Sequence, residues 1–165
     1  RVSLYRAVRA GLQNQDGRAR GSIGSVYRQL SLEEIRPLLP AIHQAIIEPA
    51  PSGEMFADEI RVEGLRLLAE HHIEEGMSAL VFYTREQNPW ASQIRTPELM
   101  KILLRYGKHA QVVIPELSKI ENYFEKEEKD FPPELMRLKA QSVRETIAAI
   151  EASSEEPELI QITKR

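Results

Sequence analysis

The sequence predicts an all-α protein, and three observations predict it. Apolar residues recur at spacings of three and four along nearly the whole chain, and no stretch alternates as a strand would. Proline, glycine and capping hydroxyls punctuate those runs at short intervals. The 165 residues, 42% hydrophobic and 28% charged, suffice for one globular core without staples. The absence of cysteine excludes disulfides, thiolate metal sites and a cysteine nucleophile. No run of about 18 apolar residues is present to cross a bilayer as a helix. The chain opens on Arg1 rather than Met, which reads as a piece of a longer polypeptide with any targeting segment upstream.

In order, residues 2–13 predict a short helix, and "NQDGRARGSIG" at 14–24 a polar, glycine-rich loop. A helix over 23–30 follows. Ser31 and Glu34 form a capping box, in which the hydroxyl takes an orphan N–H and the carboxylate reaches back to the cap's own N–H. Pro37 and Pro40 lack an N–H and predict a short first turn or kink before a helix to Ile47. "EPAPSG", 48–53, breaks the chain.

The helix predicted over 55–71 is apolar on two sides. Phe56, Ile60, Gly64, Leu67 and Leu68 make one stripe, with Val62 and Leu65 on another, so neighbours must cover both. Gly64 on the main stripe invites a close helix approach. A helix over 74–86 carries Met77, Leu80, Val81 and Thr84, and Asn88-Pro89 ends it. Thr96-Pro97-Glu98 has the three marks of a helix start: a capping hydroxyl, proline at the first position and an acid facing the dipole. Gly107 predicts a left-handed end to that helix. Val113, Leu117, Ile120 and Phe124 mark a helix over 110–127, and Pro132-Pro133 opens the last, with Met136, Ala140, Val143, Ile147 and Ile150 inward. Beyond Ser153 a mobile tail is expected.

The segments also repeat. Leu67-Leu68 lies 36 residues before Leu103-Leu104, "MSALV" at 77–81 matches "VIPEL" at 113–117 at the same offset, and "LLPAI" at 38–42 precedes the first of these by 39. With its leucine pair, turn glycine, Ala110 and Ile114-Pro115, "LLRYGKHAQVVIPELSKI" at 103–120 resembles the second half of a HEAT repeat. The resemblance covers about residues 25–127; the copy at 65–81 lacks the proline and that at 25–47 lacks the glycine turn. It implies a HEAT-like α-α superhelix of stacked antiparallel hairpins: one helical-repeat domain over 1–152, its repeat core at about 25–127, its last helix at about 133–152 and a tail at 153–165. "PSGEMFADEIRVEGLRLLAEHHIEEG", 51–76, is similar to a segment of large uncharacterised bacterial proteins, often exported, that carry helical repeats near their C-terminal ends. Those resemblances imply a non-catalytic scaffold or protein-binding module, without cofactor or metal. The alternatives are an accessory domain of an enzyme whose active site lies elsewhere in the parent chain and a nucleic-acid-binding HEAT-like domain. The net charge of −3 weighs against the last.

Candidate sites are few. "HHIEE", 71–75, has metal-ligand residue types, but adjacent histidines on a helix point about 100° apart and no HExxH is present. A corner accounts for all four polar residues, with imidazole at one helix's negative end and carboxylates at the next one's positive end. No GxSxG nucleophile elbow is present. Charge is uneven: residues 1–30 hold six arginines against one acid, Asp16, a balance of +5 that leaves −8 for the rest. "DGRARGSIGS", 16–25, joins Arg18 and Arg20 to glycines and Ser22, a pattern suited to a small anion or an acidic partner, although the P-loop lysine is missing. Arg28 extends this basic edge, and Trp90, after Asn88-Pro89, is a candidate contact residue.

Overall fold

The structure, a computed structural model, describes residues 2–87 and 89–162, the side chains of 89–91 excepted. The protein is all-helical: among the described residues 77% are helical and no strand forms. The chain divides into two compact units, residues 1–79 with 160–165, and residues 80–159.

The first unit opens with α1 (Val2–Leu12), of which only Val8 and Leu12 are buried. The predicted glycine-rich loop is in part helical. Asp16 caps a single turn, α2 (Gly17–Gly21), by accepting from the Arg18 N–H at 2.9 Å. Close packing by Gly17 holds that turn: its N–H donates to the Ser52 carbonyl at 2.6 Å, and a Cβ there would stand 2.1 Å from the Gly53 oxygen. The helix expected over 23–30 shrinks to α3 (Gly24–Tyr27). The Ser31–Glu34 capping box forms on both sides and starts α4 (Leu32–Ile35). Pro37 sits in the 3-10 turn Arg36–Leu38 and Pro40 in the first turn of α5 (Leu39–Ile47), where neither is asked for an N–H.

After the breaker, Gly53 takes φ 66° and a 3-10 turn, Glu54–Ala57, leads into α6 (Asp58–Glu70). Phe56, expected on the buried stripe, falls in that turn and is exposed, because the helix begins two residues later. The two-sided reading of α6 holds. Ile60, Val62, Leu65, Leu67, Leu68 and Ala69 are all buried, with α3 and α5 packed against the helix. Gly64 permits the approach of α5: a Cβ there would meet the Ile46 side chain at 3.1 Å. Ile35, Leu38, Ile42, Ile46, Ile60, Leu65 and Leu68 form the centre of this unit's core.

α7 (Glu75–Glu86) begins in the first unit. In the second unit, α8 runs from Pro89 to Leu103. Thr96-Pro97-Glu98, expected to start a helix, lies inside α8 instead. Thr96 is fully buried, and its hydroxyl accepts from Gln87 Nε2 at 2.9 Å, so a tertiary bond replaces the cap. A 3-10 stretch, Leu104–Val113, follows and bends at Gly107, whose φ of 56° bears out the positive angle the turn requires; its ψ of −137° is not that of a left-handed helical cap. α9 (Ile114–Asn122) passes into a π turn at Tyr123–Glu127. α10 (Pro133–Ala152) starts at the double proline as expected and packs on α8 and α9. Leu99, Leu103, Tyr106, Leu117, Phe124, Ala140, Val143 and Ile150 form this core.

The segment expected to be a mobile tail makes specific bonds. In the second unit, the Glu155 carbonyl accepts from the Lys108 N–H at 2.8 Å, and His109 Nε2 lies 2.7 Å from the Pro157 carbonyl. In the first unit, Ile160 pairs with Ile73 in a parallel bridge: its N–H donates to the His72 carbonyl at 2.9 Å and its carbonyl accepts from Glu74 at 2.8 Å. Polar, short-range composition does not report backbone partners distant in sequence; residues 163–165 of the expected tail lie outside the described residues.

Candidate functional site

The "HHIEE" corner is a turn. His71 caps α6, its N–H donating to the Leu67 carbonyl, and His72 takes φ 52° to reverse the chain. Fully buried Ile73 anchors the corner. The Glu75 carboxylate accepts from the Ile162 N–H at 3.0 and 3.1 Å, and that of Glu74 accepts from the Gln161 amide. Among the described residues no group of three or more histidine, aspartate or glutamate side chains is arranged to hold a metal ion.

The four positions of the basic edge fare differently. Arg18 is exposed and pairs with Asp16 at 3.0 Å; its hydrogen bonds hold the Asp16 carboxyl below the usual carboxylate range. Arg20 is only 3% exposed. It donates to the carbonyls of Asn14, Glu48 at 2.9 Å and Pro49 at 3.2 Å, so its guanidinium ties the α2 turn to the breaker segment and faces no solvent ligand. The Ser22 hydroxyl donates to the Ala19 carbonyl at 2.7 Å, closing its own turn. Arg28, at the end of α3, is exposed and pairs with Glu63 of α6 at 2.9 Å. Trp90 lies outside the described side chains.

Arg28 borders a hollow. The cavity, of about 340 Å³, opens between α3 and α6 in the first unit. Tyr27, Leu30 and Leu67 supply its apolar lining, and Arg28, Glu63, Arg66, Glu70 and His71 its charged and polar part. Glu63 sits between two cations, Arg28 at 2.9 Å and Arg66 at 3.8 Å. Tyr27 is 2% exposed, and its hydroxyl has no hydrogen-bond partner among the described residues. Burial pushes that hydroxyl's pKa up, so it stays a neutral donor.

These geometries follow from sequence in a simple way. Arg28 and Tyr27 leave α3 in adjacent directions, so one reaches the surface while the other enters the core. Glu63, Arg66, Leu67 and Glu70 are three and four apart on α6 and therefore share its face. Arg66 and Glu63 were legible as a helical pair at i,i+3; that α3 lies over this face was not legible, since nothing local in the sequence encodes that docking.

The second unit has its own hollow, about 450 Å³, lined by Arg85, Ser118, Lys119, Asn122, Tyr123 and Glu127. The Arg85 guanidinium lies 5.7 Å from the Tyr123 ring centroid, in cation–π range. The Tyr123 hydroxyl donates to Glu128 at 2.6 Å, which pushes its pKa up to about 12 and holds the Glu128 carboxyl low.

Set beside known proteins, the chain matches no protein-family model, no curated protein and no solved structure.

Proposed function

We propose that this chain is a non-catalytic helical module that binds an acidic segment of another protein, with the hollow between α3 and α6 as the seat. One observation carries the reading. A hollow with apolar walls at Tyr27, Leu30 and Leu67 and a charged rim of Arg28, Glu63, Arg66 and Glu70 lies at the end of a segment whose arginines outnumber its acids. Arg6, Arg9, Arg18 and Arg28 are exposed, and the single acid of residues 1–30, Asp16, is already engaged by Arg18. An acidic segment meets the exposed arginines of residues 1–30 and competes with Glu63 for Arg28, with apolar contact at Tyr27, Leu30 and Leu67 to seat a side chain.

A HEAT-like arrangement of stacked hairpins is consistent with this role. α6 lies against both α5 and α3, and α10 against both α9 and α8, so each of these helices touches its neighbour in sequence and an earlier element, as helices in stacked repeats do. Such stacks present side chains on rigid elements, which suits binding more than chemistry.

The test is a fluorescence-anisotropy titration of the whole chain with a labelled peptide rich in Asp and Glu and containing one Leu. Its controls are a basic peptide and single-stranded DNA of matched charge. Selective binding of the acidic peptide, weakened at least tenfold by Arg28→Glu, supports the proposal. Equal binding of DNA with a steep salt dependence moves the reading to a polyanion site. Absence of acidic-peptide binding, or binding unmoved by Arg28→Glu, overturns the seat.

A further inference from the structure

The corner at residues 71–75 grips an extended strand from the far end of its own chain. Where α6 ends, His72 takes φ 52°, a left-handed angle that a residue with a Cβ adopts at a cost and keeps only where its surroundings hold it. Its carbonyl accepts from the Ile160 N–H at 2.9 Å, and the Glu74 N–H donates to the Ile160 carbonyl at 2.8 Å. Both main-chain groups of Ile160 are thus matched across a parallel bridge to Ile73. The grip extends past the backbone pair. The Glu74 carboxylate accepts from the Gln161 side-chain amide, and the Glu75 carboxylate accepts from the Ile162 N–H at 3.0 and 3.1 Å. Residues 72, 74 and 75 therefore read three successive residues of a strand, and the fully buried Ile73 anchors the reader.

The strand is lightly held. None of residues 153–162 is buried, and Ile160, Gln161 and Ile162 are each half-buried. A segment without a fully buried side chain, kept by a handful of hydrogen bonds, opens before the core does. The corner has no such weakness, since Ile73 and the flanking Leu68, Ala69 and Met77 all belong to the core.

We propose that residues 72–75 are a docking site for an extended strand of another protein, with the chain's own residues 160–162 as a resident occupant that such a strand displaces. Strand addition takes its affinity from main-chain hydrogen bonds and its selectivity from alternate side chains. The corner dictates the chemistry of the incoming segment. Its first and third residues must carry an N–H, which excludes proline at both places. Their side chains are apolar, as in Ile160 and Ile162. The second side chain is a donor, because it meets the Glu74 carboxylate. Lysine or arginine there makes the bond charge-assisted, and aspartate or glutamate is repelled. This partner is apolar and neutral or basic, whereas the seat between α3 and α6 calls for an acidic one, so the two readings stand or fall separately.

The experiment titrates the whole chain with fluorescein-labelled LIQIT, the sequence of residues 159–163, and follows anisotropy. Ile160→Pro removes the N–H that holds the resident strand to His72 and is expected to raise peptide affinity at least tenfold over the parent. On that variant LIKIT should bind at least as well as LIQIT, and LIEIT and LPQIT at least tenfold more weakly. In the parent, excess LIQIT should speed hydrogen exchange at the Ile160 amide and leave the Lys108 amide, held by the Glu155 carbonyl, unchanged; this readout decides the matter where the variant does not fold. Exchange at Ile160 unmoved by peptide, equal affinity for parent and variant, or equal binding of all four peptides overturns the proposal. So does a parent chain that dimerises in sedimentation and returns to monomer with LIQIT, since the occupant is then the strand of a second copy.

Discussion

Arg20 and Arg61, 41 positions apart in the chain, donate to the same carbonyl oxygen, that of Glu48, at 2.9 and 3.0 Å. Both are buried, at 3% and 5% exposure. Arg61 also donates to the Ile46 carbonyl at 3.2 Å and pairs with Glu54 at 2.5 Å. The breaker "EPAPSG" leaves carbonyls at the end of α5 without helical partners, and two guanidinium groups satisfy them from opposite directions along the chain. Burial first, and the neighbouring Arg61 charge second, lower the pKa of Arg20, yet an arginine stays charged and retains its donors.

Replacing Arg20 with Met therefore strands buried carbonyls. We expect a loss of about 3 kcal/mol in urea unfolding, with Arg20→Lys recovering part of it because an ammonium cannot reproduce the planar fork. Arg18→Ala, at an exposed position, is expected to leave the midpoint unchanged. Equal stability of the Arg20 and Arg18 variants would sink the structural reading of Arg20.

Tyr27 predicts the reverse behaviour. Its hydroxyl is buried without a partner among the described residues, so removing it relieves an unmet hydrogen bond. Tyr27→Phe should keep stability or raise it by up to about 1 kcal/mol, read by the same unfolding curve. A loss beyond that would mean the hydroxyl has a partner in solution.

Gly107 combines φ 56° with a close neighbour, since a Cβ there would stand 2.3 Å from the Glu155 carbonyl oxygen. Gly107→Ala should cost about 2 kcal/mol or more, from backbone strain and the displaced segment together. The local signature is faster hydrogen exchange at the Lys108 amide, which donates to that carbonyl. Unchanged exchange would show that residues 153–157 do not depend on this contact.

Lys139, buried on α10 with its ammonium 4.1 Å from the Phe124 ring centroid, sets a pH dependence. Its folded pKa, about 8, lies below the roughly 10.4 of an unfolded lysine. Between those values the unfolded chain binds more protons, so this residue's contribution to stability rises as pH increases through that window. Lys139→Met should stabilise the protein by about 1–2 kcal/mol at pH 7, with the gain shrinking toward pH 10. Urea melts at the two pH values measure it; a constant difference between variant and parent would refute the buried-ammonium account.

The helical class, the Ser31–Glu34 box, the Pro133 start, the buried two-sided character of α6 and the close approach at Gly64 were all legible from local sequence. Each of these is local physics: periodicity, capping and proline's missing N–H act within a turn or two. Tertiary structure decided the rest. Arg20 looked like a ligand residue because arginine beside glycine is the same signal whether its donors meet an anion or the chain's own carbonyls, and only the position of residues 48–49 chose between them. Thr96 looked like a cap until Gln87 claimed its hydroxyl. The hollow at Tyr27 and Arg28 and the ring face over Lys139 both depend on which helix lies against which. That choice is made by burial summed over many side chains, a non-directional force that leaves no signature at any one position.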